Sequence, residues 1–196
     1  GHQTREVFES DARTVERTEM SGKTGDAQIG AWVTALCAKK PTPGGGAAAA
    51  VAAAIGAASG AMAAIYTTRK KDEESGVAGE ARALAAALDA AAARCIVLAD
   101  EDETAYAALQ ASWKDESLSA EDKAKIEATA LNVPVSLLKL CHEQSSAVAN
   151  FLPRCNPNIT SDAKVCIHLL AGAGRAAYQT VLVNQPKEEV KTELKP

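Results

Sequence analysis

The sequence predicts an all-α protein, a bundle of about five helices. Three observations predict it. About a fifth of the 196 residues are alanine, the strongest helix former. No segment sustains the period-two alternation of a half-buried strand. Four glycine-, proline- or charge-rich breaks divide the chain into segments of helical length and period. Aromatic residues make up only 4% of the chain, so the core must gain burial from close backbone approach rather than from large rings.

Residues 1 to about 25 are polar, charged and aperiodic, and read as an extension preceding the folded domain. The first helix is expected near Asp26 to Ala38, with Ile29, Trp32, Val33 and Leu36 on one face. Lys39 to Gly46 is a loop. A second helix is expected from about Gly45 to Thr67, its sides kept smooth by Ala52, Gly56, Ser59, Gly60 and Ala63. "TRKKDEESGVAG" reads as a charged break. A third helix is expected from near Gly79 to Trp113, burying Leu84, Leu88, Cys95, Leu98, Ala105 and Leu109. Ser119 is a natural N-cap for a fourth helix running to about Phe151, with a kink expected at Pro134. After "PRCNPNITSD", a fifth helix is expected from about Ser161 to Asn184, stopped by Pro186. The domain is thus 26–186, followed by a charged tail, 187–196.

Net charge is −4 and the isoelectric point about 5.5, with no basic stripe, so the expectation is no nucleic-acid partner. The tract from Ala47 to Ile65 is long enough to span a bilayer, but Ala, Gly and Ser dominate it. It reads as a buried helix, with no membrane partner expected. Five scattered cysteines without a CxxC pair suggest reduced thiols, and neither a metal nor a bound cofactor is expected. The chain begins at Gly1, so a trimmed or tagged start is expected. A cytoplasmic location is the simplest reading, with an organellar one after loss of a targeting peptide beside it.

The stretch "KPTPGGG" bears on function. Pro41 and Pro43 fix an extended approach, and Gly44, Gly45 and Gly46 remove Cβ atoms where the second helix begins. Unpaired N–H groups and a partial positive charge lie there, open to a carbonyl, carboxylate or phosphate. Neither a Walker A loop nor GxGxxG spacing is present. On physics alone, a ligand-facing loop and a plain tight helix start are equal alternatives.

"PTPGGG" followed by an Ala-rich helix resembles the signature of the cyclodeaminase/cyclohydrolase family: the C-terminal half of formiminotransferase-cyclodeaminase and stand-alone methenyltetrahydrofolate cyclohydrolases. "EDETAY" (Glu101 to Tyr106), "NVP" (Asn132 to Pro134), "NPNITSDAKV" (Asn156 to Val165) and "GRAAYQTVLVN" (Gly174 to Asn184) resemble further family segments, in the same order. The resemblance implies an all-helical homodimer with a folate site at or near the subunit interface, and a tetrahydrofolate derivative as substrate. It implies one of two reactions. The first converts 5-formiminotetrahydrofolate to 5,10-methenyltetrahydrofolate with ammonia release. The alternative is methenyltetrahydrofolate cyclohydrolase activity, interconverting the methenyl and 10-formyl forms.

By the same resemblance Asp102 is the expected acid/base, since the attacking nitrogen must lose a proton and departing ammonia must gain one. Set against that, Asp100 to Glu103 form an acidic run of the kind that usually faces water. Pro43, Gly44, Gly45 and Gly46 are expected to contact substrate. Asn156, Asn158, Ser161 and Asp162 resemble a site wall able to read the pterin edge, although Asn-Pro-Asn is also turn chemistry and Ser161 an ordinary cap. Lys70 and Lys71 suit the glutamate carboxylates of folate, or equally the C-terminal charge of a helix. Arg175 is expected to hold an acid or the substrate tail, or to snorkel. His142 and His168 read as ordinary helix-face residues, and Tyr106 as packing. The break after Lys71 lacks the family's usual aromatic, and the family usually has a further C-terminal helix. A third reading therefore stands, a non-catalytic helical subunit of a larger assembly.

Overall fold

The computed structural model of the protein describes residues 24–26 and 28–194. Among these residues seven α-helices run in order: α1 (Ile29–Leu36), α2 (Gly45–Ile65), α3 (Lys70–Glu74), α4 (Val77–Ser112), α5 (Ala120–Phe151), α6 (Thr160–Val183) and α7 (Glu188–Leu194). Short 3-10 turns occupy Thr24–Asp26, Leu152–Arg154 and Pro157–Ile159. The described residues contain no strand. The five expected helices are α1, α2, α4, α5 and α6.

Two short helices lie where the sequence read as irregular. In the first charged break, α3 forms because the Asp72 carboxylate accepts the Arg69 main-chain N–H at 2.9 Å and both forks of the Arg69 guanidinium at 2.7 and 2.9 Å. That contact closes the first turn, satisfying an orphan donor that hydrophobic period cannot reveal. Gly76, at φ 79°, then starts α4 at Val77, earlier than expected. In the tail, α7 carries Glu188 and Glu189 in its first turn and Lys191 in its last, matching the helix dipole. Buried Leu194 anchors α7, and the Tyr178 hydroxyl donates to the Lys191 carbonyl at 3.1 Å.

Helices α2, α4, α5 and α6 form an up-down-up-down bundle, each packed on its two neighbours in that cyclic order. The register is read from the close approaches. Gly60 faces Leu88 of α4 and Cys166 of α6, Gly46 faces Asp102 of α4, and Gly56 faces Leu170 of α6. Both neighbours therefore run antiparallel to α2. The α5–α6 pair is fixed where Gly174 meets Cys141 and Asn184 meets Ala130.

Every fully buried residue of α2 is Gly or Ala. A Cβ on Gly56 would fall 2.9 Å from Leu169 Cβ, and one on Gly60 2.6 Å from Cys166 Sγ. The flanking helices thus seat directly on the α2 backbone, and Leu88, Leu98, Leu170 and Val148 fill the space around it. The opposite side of α2 remains exposed. Ile55 (51% accessible), Ala58, Met62, Ile65 and Tyr66 (60% accessible) recur at helical spacing along it. By length and composition α2 could cross a membrane, yet half of it is buried in the bundle, as befits a core helix.

Candidate functional site

The first turn of α2 carries N–H groups that no intrahelical carbonyl can take. Gly44, extended at φ −118°, offers no capping side chain. The cap comes from another helix. Asp102, on α4, accepts the Ala47 N–H through Oδ2 at 3.0 Å. Gly46 makes this possible, since a Cβ there would lie 2.5 Å from Asp102 Cγ and 2.6 Å from Oδ2. Gly46 is buried, Pro43 is buried beneath a cis Thr42–Pro43 bond, Gly44 is half-buried and Gly45 faces solvent. The glycine loop and Asp102 are thus one unit.

The acidic run divides by face. Asp100 accepts the Thr24 N–H at 2.8 Å, Glu101 pairs with Arg94 on the surface, and half-buried Asp102 turns toward α2. Burial pushes the Asp102 carboxyl above its ordinary range, and the Ala47 N–H offsets part of that. Neighbouring Glu103 is also raised, first by burial and then by Asp100 and Asp102. Asp102 Oδ1 has no protein hydrogen-bond partner among the described residues. One oxygen is fixed while the other is available, on a carboxyl whose proton is held more tightly than usual. Such a group can take and return a proton.

The Asn-rich segment lies elsewhere. Asn156 is 5% accessible. Its Oδ1 accepts Arg69 Nη1 at 2.6 Å and the Asn158 N–H at 3.1 Å, while Nδ2 donates to the Tyr66 carbonyl at 2.9 Å. Its own N–H donates to Thr67 Oγ1 at 3.0 Å. The Asn156 amide is therefore occupied in tying the segment to the C-terminal end of α2. Asn158 and Ser161 face solvent, Ser161 Oγ donating to Asp162 Oδ2 at 3.0 Å. The half-buried Asp162 accepts Ser59 Oγ at its carbonyl. Lys70 and Lys71 are exposed at this same end.

Gly46 and Tyr66 are separated by nearly the whole of α2, roughly 30 Å at about 1.5 Å per residue. The expected site residues thus form two groups at opposite ends of one helix. Arg175 belongs to neither. It lies on the outer side of α6, facing α5 and α7. The sequence reading missed Arg69, Asp72 and Thr67, which hold the Asn-rich end together. The Arg-x-x-Asp spacing after the second helix was a sign of Arg69 and Asp72, whereas the contact of Thr67 with Asn156, eighty-nine residues apart, leaves no local pattern. Cys95, Cys141 and Cys166 are poor nucleophiles, since burial pushes Cys95 and Cys166 up to about 11 and Cys141 up to about 12.

The protein is an all-α antiparallel four-helix bundle in which α2 starts in a glycine loop capped by a carboxyl from its neighbour α4. The family model for formiminotransferase-cyclodeaminase matches residues 28–193, and the chain belongs to that family. The fold is shared with the crystal structure of formiminotetrahydrofolate cyclodeaminase from Thermotoga maritima, at 23% identity and a TM-score of 0.77, over 86% of this chain and 84% of that one. A search among curated proteins gives no match.

Proposed function

We propose that the protein closes 5-formiminotetrahydrofolate to 5,10-methenyltetrahydrofolate with release of ammonia, and that Asp102 moves the protons. The observation carrying this reading is the geometry of Asp102: half-buried, fixed through one oxygen to the start of α2, its proton affinity raised by burial. Family membership supplies the substrate class. In the reaction, folate N10 attacks the carbon of the protonated formimino group, N5–CH=NH2+, forming the new C–N bond as the C=N π electrons pass to the imino nitrogen. The Asp102 carboxylate takes the N10 proton. The same carboxyl then gives a proton to the former imino nitrogen, which leaves as ammonia with the electrons of its bond to carbon. Asp102 ends as it began.

The reading includes a second copy of the chain. The exposed apolar stripe on α2 suits an antiparallel, two-fold contact with the same stripe of a partner. Such a contact would bring the Lys70, Lys71, Asn158 and Ser161 end of one α2 to the Asp102 end of the other. Cations would then meet the glutamate tail of a folate whose one-carbon end lies at Asp102.

The test is a spectroscopic assay with 5-formiminotetrahydrofolate that follows methenyl formation and ammonia together. Both signals rising in step support the proposal. Methenyl hydrolysis without any cyclodeamination would assign the cyclohydrolase instead. Silence in both would leave Asp102 a helix cap in a non-catalytic subunit.

A further inference from the structure

A cleft of about 430 Å³ opens between α5, α6 and α7. It lies on the side of the bundle away from Asp102, because α4 and α6 stand diagonally in the ring. Its floor is apolar, with buried Leu170 and Leu194 beside Leu138 and Gly174. Its rim carries the nitrogen side chains of Lys139, His142 and Arg175, against a single carboxylate, Glu193.

The charge on this rim is unbalanced in a way found nowhere else among the described arginines. Arg69 pairs with Asp72, Arg82 with Glu73, Arg94 with Glu101 and Arg154 with Glu80. Arg175 has no carboxylate partner among the described residues, although the chain as a whole is acidic. Lys139 reaches Glu193 only at 4.0 Å, with both side chains largely exposed. A contact of that kind is weak and easily exchanged for a better anion.

We propose that this cleft is a second binding site, separate from the Asp102 site, for a small amphipathic carboxylate. The carboxylate lies between the Arg175 fork and the Lys139 ammonium, and the apolar body rests on Leu170 and Leu194. Guanidinium matches a carboxylate with two parallel hydrogen bonds, and the cleft volume lies within the range of small-molecule pockets. Occupancy also holds α7 against the bundle, since Leu194 forms part of the floor.

The test uses the full chain, with octanoate as probe and octanol as its uncharged counterpart. Octanoate should raise the melting temperature saturably, and octanol at equal concentration should not. Arg175→Gln and Lys139→Gln, both at exposed positions, should each weaken octanoate binding roughly tenfold. Asp102→Asn should leave it unchanged, which separates this site from the first. No octanoate shift, an equal shift with octanol, or full binding in the Arg175→Gln/Lys139→Gln double variant would overturn the proposal.

Discussion

The Asn184 side-chain amide donates to the Ala130 carbonyl at 3.3 Å, across the α5–α6 interface. Ala130 is the residue four before Pro134, which lies inside α5 and has no N–H to give. Asn184 therefore supplies the hydrogen bond that the proline withholds, and also donates to the Thr180 carbonyl at 3.0 Å to close the end of α6. This accounts for α5 continuing past a buried proline. Asn184→Ala should destabilise the fold by about 1–2 kcal/mol. In a Pro134→Ala background residue 134 regains its N–H, so the same substitution should cost less. Urea unfolding of the four proteins measures the coupling, and strict additivity would refute the account.

The glycines of α2 make two different predictions. Gly56→Ala and Gly60→Ala force methyl groups against Leu169 and Cys166 in a close-packed interior, and each should lose about 1–3 kcal/mol of stability. At Gly46 the obstructed group is the Asp102 carboxyl, a side-chain end that can rotate aside. Gly46→Ala should therefore fold, lose the Ala47 cap and lose most turnover. Melting curves beside kcat would show the difference. An active, stable Gly46→Ala protein contradicts the pairing of loop and carboxyl.

Capping and proton transfer at Asp102 can be separated by substitution. Asparagine keeps an oxygen for the Ala47 N–H but cannot exchange a proton in the same way, so Asp102→Asn should retain stability to within about 1 kcal/mol and nearly abolish turnover. Asp102→Ala removes both and should also lose about 1 kcal/mol of stability. Equal activity of wild type and Asp102→Asn would leave only the structural role.

The pH dependence carries a definite sign. The folded-state pKa of Asp102 is raised, chiefly by burial, so the folded state binds its proton more tightly than the unfolded chain does. Its contribution favours folding below the ordinary carboxyl range and is lost as pH rises through the raised value. Asp72 is the reverse. The Arg69 hydrogen bonds hold it below its ordinary value, so its contribution is present above that value and is lost as pH falls through the lowered one. Stability measured against pH should rise toward higher pH in Asp102→Asn relative to wild type, and the acid limb should flatten in Asp72→Asn. The opposite slopes would reverse the assignment of environments.

Breaker residues and caps, with alanine propensity in α2 and hydrophobic period in α1 and α4, were enough to find the five longer helices. They did not find α3, which depends on one capping ion pair, Arg69–Asp72, or α7, which depends on Leu194 reaching a distant surface. Family resemblance brought out the glycine loop and Asp102 separately. Their contact is fifty-five residues apart in sequence, and no local spacing announces it. Nor does the order of motifs along the chain reveal that Asn156 lies at the far end of α2. That follows from α6 running antiparallel to it.

The separation of the two groups along α2 yields the sharpest test of the dimeric site. If each site combines Asp102 of one protomer with Lys70 and Lys71 of its partner, Asp102→Asn and Lys70→Glu/Lys71→Glu should each be nearly inactive alone. A mixed dimer then contains one site with both elements intact and one with neither. Equal mixing followed by subunit exchange should restore about a quarter of wild-type activity, since half the dimers are mixed and half of their sites are whole. Ile55→Glu, on the exposed stripe, should produce monomers by sedimentation and abolish that recovery. Recovery in the Ile55→Glu background, or none in the native mixture, would place the lysines and Asp102 in separate roles.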